Sequence, residues 1–151
     1  MTNAVPHLFI FGSKSTAIEI AETTAELHPD WKIVHVSDKP DQTTRHPHVL
    51  DQRLPEYLQH LPGPHRFILS MSDQKLRAHY LELANSVHLE PQTIVHPQTT
   101  VSPSSVIGTG CYIAPGCRIS TQTTIGDHSI LNLNIYIGHS TTTGGHLTVS
   151  T

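Results

Sequence analysis

The sequence predicts a small α/β unit followed by a parallel β-helix. Two observations predict the first half. Short apolar runs end at Gly, Ser or Asp, and segments with helical spacing follow them. One observation predicts the second half. From Val95 an aliphatic residue recurs every six positions, a period that no α-helix has.

Residues His7 to Phe11 (HLFIF) form a continuous apolar run that stops at Gly12, the signature of a buried strand. After Gly12-Ser13-Lys14 comes a helix whose apolar positions are Ala17, Ile18, Ala21 and Ala25, with Ser15 or Thr16 as its expected N-cap. His28-Pro29-Asp30 stops it. Trp31 to Val36 alternates as a second strand and ends at Ser37-Asp38. The Pro- and His-rich stretch from Asp41 to Val49 reads as a loop. A short helix is expected within LPEYLQHL, broken by Pro62-Gly63-Pro64. Arg66 to Met71 is the third strand. Gln74 to Val87 is an amphipathic helix presenting Leu76, Tyr80, Leu83, Ala84 and Val87. The order predicts a three-stranded parallel sheet, residues 1–90, with helices packed on it. Ligands of such sheets sit at the carboxyl ends of the strands, here Gly12 to Thr16, Ser37-Asp38 and Ser72-Asp73.

Residues 91–151 carry the repeat. Stepping by six gives Val95, Val101, Ile107, Ile113, Ile119, Ile125, Leu131, Ile137, Thr143 and Val149, all aliphatic but one. Three short strands then make one triangular coil, each pointing one aliphatic side chain inward, for about three coils. The position four after the anchor is usually small: Thr99, Ser105, Cys111, Cys117, Thr123, Ser129, Thr141.

Composition narrows the function. The chain has 151 residues and a net charge of −3, which excludes a strongly basic nucleic-acid binder. No apolar run is long enough to span a membrane. The first six residues have no basic stretch, so no secretion signal is expected. Reduced cysteines and a cytoplasmic location follow as expectations. With 13 His, a single His is weak ground for a site. Cys111 and Cys117 share one phase of the repeat and read as small core residues. His46 and His48 lack a third ligand at metal spacing, so no metal is expected. Asp127-His128 are adjacent, and neighbours on a strand face opposite sides. Lys14 reads as a solvated loop residue.

FIFGSKSTAIEIAE, RFILSMSDQKLR, SVHLEPQTIVHPQTTVSPSSVIGTGCYIAPGCRI and ILNLNIYIGHS together resemble the NeuD/PglD-like sugar acyltransferases, from Leu8 onward. The resemblance implies a Rossmann-like domain that holds a nucleotide-activated amino sugar, such as a UDP-linked one. It also implies a left-handed β-helix, a homotrimer, and acetyl-CoA in the groove between neighbouring prisms. Carried over by residue, His139 is the general base, seven positions after Asn132, which matches the acceptor-binding Asn. Gly12, Ser13, Asp38, Ser72 and Asp73 fall at the sugar-nucleotide positions. The residue after the family's His is acidic, and here it is Ser140. Only Gly12 remains of the family's glycine turn, and the family continues for further coils. Two readings follow: an acetyl-CoA-dependent sugar acyltransferase, or a truncated or degenerate relative serving as a sugar-nucleotide-binding or oligomerisation module.

Overall fold

The computed structural model describes residues 4–150. Positions 1–3, part of the stretch read for a secretion signal, and Thr151, the end of the expected repeat, lie outside them. The chain divides into two compact units, Met1–Pro91 and Gln92–Thr151.

The first unit is a parallel sheet of β1 (His7–Phe11), β2 (Lys32–Ser37), β3 (His48–Leu50), β4 (His65–Leu69) and β5 (Glu90–Pro91), in the order β3-β2-β1-β4-β5. The helices are α1 (Ser15–Leu27), α2 (Leu54–Gln59), preceded by a 3-10 turn at Asp51–Arg53, and α3 (Gln74–Ser86). Leu8, Phe9, Ile10 and Phe11 are all fully buried, so β1 is covered on both faces, which is why it reads as an unbroken apolar run. Phe9, Phe11, Val34, Val36, Phe67 and Leu69 form one face, packed with Tyr80 and Ala84 of α3.

Five strands stand where the sequence predicts three. β3 emerges from the stretch read as a loop. It is an edge strand of three residues, too short to show a period, and its register is set by His35↔His48 and Val36↔Val49. β5 is a two-residue edge strand containing Pro91, tolerated because an edge needs no second donor row. The cap of α1 also differs. Lys14 occupies the N-cap and makes no side-chain bond, so neither Ser15 nor Thr16 caps the helix. In α3 the Asp73 carboxylate accepts from Leu76 N at 2.8 Å.

The second unit consists of two-residue strands: β6 (Ile94–Val95), β7 (Thr100–Val101), β8 (Val106–Ile107), β9 (Tyr112–Ile113), β10 (Arg118–Ile119), β11 (Thr124–Ile125), β12 (Ile130–Leu131), β13 (Tyr136–Ile137) and β14 (Thr148–Val149). Three parallel sheets form: β6-β9-β12-β14, β7-β10-β13, and β8-β11. Pairs such as Ile94↔Tyr112 and Ile130↔Thr148 set one coil at 18 residues, the separation also spanned by inter-coil bonds. The aliphatic anchors meet inside, where Ile113, Ile119, Ile125 and Leu131 are buried. Each such side chain contributes about 1.5–3 kcal/mol. Where Thr143 breaks the series, only an isolated bridge Thr124↔Thr142 forms.

Two side-chain series explain why the coils stack. Five of the small residues four after an anchor bond the coil above, while Ser129 Oγ donates to Gly126 O in its own coil. Thr99 Oγ1 donates to Ala114 O (3.0 Å), Ser105 Oγ to Ser120 O (2.6 Å) and Thr123 Oγ1 to Gly138 O (2.9 Å). Cys111 and Cys117 do the same with thiols, to Gly126 O (3.3 Å) and Asn132 O (3.0 Å), and both are free and buried. The second series turns the corners. Gly110, Gly116, Gln122, His128, Asn134, Ser140 and His146, six residues apart, all have positive φ, from 55° to 76°. The left-handed conformation suits Gly and Asn best, and the others adopt it because the stacked corner holds them there.

Candidate functional site

The carboxyl edge of the sheet is one candidate. The strand order reverses between β1 and β4, where doubly wound sheets open a crevice. Gly12 leaves β1 at φ 116°, and its N–H donates to Val36 O at 2.7 Å. A Cβ there would land on Ser70 Oγ, which donates to Phe11 O at 2.7 Å. The Gly12 carbonyl accepts from Nδ1 of His35, a residue only 1% exposed. Burial pushes the His35 imidazole below its ordinary pKa, and His46 and His48 nearby add to that.

The sequence-predicted residues of this edge divide by what holds them. The Ser13 hydroxyl donates to the Asp41 carboxylate, which also accepts from Thr43 N (2.7 Å) and Thr43 Oγ1 (2.6 Å). These bonds, led by Ser13, hold Asp41 down at about 2. They fold the segment after β2 over the β1–α1 turn. Asp38 is exposed, and its backbone N–H donates to the phenol oxygen of Tyr80, which works against the upward shift of that group. Burial first, then Asp51 and Asp38, pushes the Tyr80 phenol up to about 12. Ser72 is exposed, and Asp73 is engaged as the cap of α3. Arg77, 1% exposed, donates through Nη1 to Met71 O at 2.5 Å and so anchors the β4–α3 turn. Sequence reading missed His35, Asp41, Ser70 and Arg77. Their partners lie 23, 28, 59 and 6 residues away, and no local pattern marks them.

The β-helix holds the second candidate. Asn132 follows β12, and His139 follows β13 on the next face, so the two residues belong to successive corners. Asn132 Nδ2 donates to Ser150 Oγ at 2.9 Å, one coil up. His139 is exposed, with Nδ1 3.4 Å from Ser140 Oγ. Ser140 Oγ in turn donates to Gln122 Oε1 at 3.5 Å. Asp127 and His128 sit in a corner rather than on a strand. Asp127 accepts from Thr109 N at 2.9 Å, and His128 stacks on His146 with centroids 5.3 Å apart. His48 Nε2 lies 2.7 Å from Ser37 Oγ. Among the described residues no helix is long and apolar enough to cross a membrane, and no cluster suited to a metal ion is present.

Neither protein-family models nor curated proteins match the sequence. Solved structures do. PerB from Caulobacter crescentus, in complex with CoA and GDP-perosamine, superposes with a TM-score of 0.80 at 24% identity, covering 94% of this chain and 67% of PerB. Two further structures of this N-acetyltransferase carry alanine or asparagine in place of a histidine. The acetyltransferase domain of PglB from Neisseria gonorrhoeae, in complex with acetyl coenzyme A, gives 0.62 at 20% identity, covering 94% of this chain and 86% of that domain. WeeI from Acinetobacter baumannii gives 0.80 at 16% identity, covering 95% and 69%. The chain spans about two thirds of the length of PerB. A parallel α/β unit joined to a six-residue-repeat β-helix is thus the fold this chain shares with sugar acetyltransferases of the hexapeptide-repeat type.

Proposed function

We propose that the chain is an acetyl-CoA-dependent acyltransferase that acetylates an amine or hydroxyl of a nucleotide-activated amino sugar, UDP-linked or of related type. The observation that carries this reading is the shared two-unit fold, which covers 94% of the chain against PerB with its CoA and GDP-perosamine. In this reading the Rossmann-like unit, residues 1–90, holds the nucleotide. The left-handed β-helix, residues 91–151, carries the chemistry and self-associates as a trimer.

The first unit supports a phosphate at α1. Its N-terminus carries no side-chain cap, so first-turn N–H groups face outward beside Gly12 and Ser13, with the dipole favouring an anion. The α3 N-terminus is already engaged by Asp73. Asp38, Ser72 and Asp73 line the same carboxyl edge.

His139 Nε2 takes the proton from the acceptor amine or hydroxyl as that atom attacks the thioester carbonyl. The tetrahedral intermediate collapses, the C–S bond breaks, and the CoA thiolate takes the proton back from the imidazolium. Asn132, tied by its Nδ2 to Ser150, turns its amide oxygen to the acceptor. Ser140 supplies no negative charge for the imidazolium, the role a carboxylate fills in triads. That one residue favours the competing reading, a non-catalytic sugar-nucleotide-binding or oligomerisation module.

Calorimetric titration with acetyl-CoA, with and without a UDP-amino sugar, separates the two. Saturable micromolar binding of both, followed by turnover, is expected. Sugar-nucleotide binding without acetyl-CoA binding leaves the binding module as the reading. His139→Ala is expected to cut turnover by about 10²–10⁴-fold with the melting temperature held. Unchanged turnover removes His139 from the mechanism.

A further inference from the structure

We propose that Gln122 is a positioning residue for His139, acting through the Ser140 hydroxyl to fix the imidazole tautomer that leaves Nε2 as acceptor. The inference rests on the reading of His139 as the base and adds what orients it.

Gln122 and Ser140 occupy the same corner in successive coils, 18 residues apart, with φ 56° and 55°. The corners are joined by Ser140 N donating to Thr121 O at 2.9 Å, which fixes the height of the hydroxyl above the amide. Ser140 Oγ donates its one proton to Gln122 Oε1 at 3.5 Å. Toward His139 Nδ1, 3.4 Å away, the same oxygen then acts as acceptor. Nδ1 therefore carries the hydrogen, and Nε2 carries the lone pair. The column continues downward. Gln122 N donates to Ser104 Oγ at 3.0 Å, and Ser104 Oγ lies 3.2 Å from Ser102 Oγ.

The direction of the chain is set by the amide. With its NH₂ toward Ser140, the hydroxyl would donate to Nδ1 and the hydrogen would sit on Nε2, the wrong end for a base. A hydroxyl backed by an amide thus orients the ring as a carboxylate does, without adding charge.

The tautomer is the readout. Long-range ¹⁵N–¹H correlation spectra of the full chain, recorded where imidazoles are neutral, report it directly. The His139 signals are those absent from a His139→Asn spectrum. Nδ1–H is expected in the wild type. Gln122→Gly removes the acceptor and suits the left-handed corner as Gly110 and Gly116 do, so the fold holds. It is expected to shift His139 toward Nε2–H and to lower kcat by about tenfold with KM for acetyl-CoA unchanged. Gln122→Glu keeps an acceptor and is expected to keep Nδ1–H. Nε2–H in the wild type, or an unaltered tautomer in Gln122→Gly, overturns the proposal. If His139→Asn keeps full turnover, the base reading falls instead, and the spectra still judge the contact.

Discussion

His35 and Gly12 are joined by one hydrogen bond, from the buried Nδ1 to the carbonyl that begins the β1–α1 turn, 3.0 Å long. His35→Leu keeps the bulk and removes the donor. The Gly12 carbonyl then loses its partner, and a cost of about 1–3 kcal/mol is expected in urea unfolding. An unchanged midpoint would mean that solvent replaces the imidazole without loss.

The same residue shapes the pH dependence. Burial holds His35 and His7 below 6.5 when folded, with His65 adding to the effect at His7. The unfolded chain then binds more protons than the folded one just below pH 6.5. Stability is full above that value and falls as pH drops through the lower folded values. Asp41, held at about 2 against 3.8, adds a second loss as pH falls from 3.8 toward 2. Unfolding midpoints measured from pH 8 to about pH 2 are expected to decline in these two windows. The upper decline should flatten in His35→Leu, and a flat wild-type profile would contradict both assignments.

Gly12→Ala tests the turn itself. At φ 116° a side chain is strained, and its Cβ meets the Ser70 hydroxyl. A loss of about 1–3 kcal/mol is expected. Gly12→Ala in a Ser70→Gly background should recover part of it, because the clash goes and the strain remains. Strict additivity of the two substitutions would place the clash elsewhere.

Cys117 tests the hydroxyl ladder. Its thiol makes the bond to the coil above that Thr99, Ser105 and Thr123 make with hydroxyls. Cys117→Ser is expected to stay within about 1 kcal/mol of wild type. Cys117→Leu should cost about 1–3 kcal/mol by overpacking the prism. Thermal unfolding of both variants distinguishes a ladder position from an ordinary core position, where Leu would be the milder change.

Ser140→Asp adds a carboxylate beside His139 Nδ1, and Asp is among the residues that tolerate the left-handed corner. Charge now faces the imidazolium that forms during transfer. Under the acyltransferase reading kcat is expected to rise by about threefold to tenfold. A fall in kcat at unchanged melting temperature would show that Ser140 serves better as a neutral acceptor.

The repeating part of the molecule is specified by the order of residues alone. Ile113, Ile119, Ile125 and Leu131 face one core because each coil presents the same position inward, so a local period suffices. The buried run of β1 and the amphipathic α3 are legible for the same reason. The corner residues were within reach too, since Gly110, Gly116 and Asn134 recur at the step of six. His128, Ser140 and His146 conceal that series. Tertiary structure alone decided the rest. β3 and β5 exist as strands only because β2 and β4 offer them an edge. Ser13 is tied to Asp41, and Asp73 caps α3, although both read as ligand positions. His35 reaches Gly12, and Gln122 reaches Ser140, through contacts between segments that the chain separates by 23 and 18 residues. Such pairs satisfy polar groups across the fold: no period marks His35 and Gly12, and although one coil aligns Gln122 with Ser140, only the fold decides which of their atoms meet.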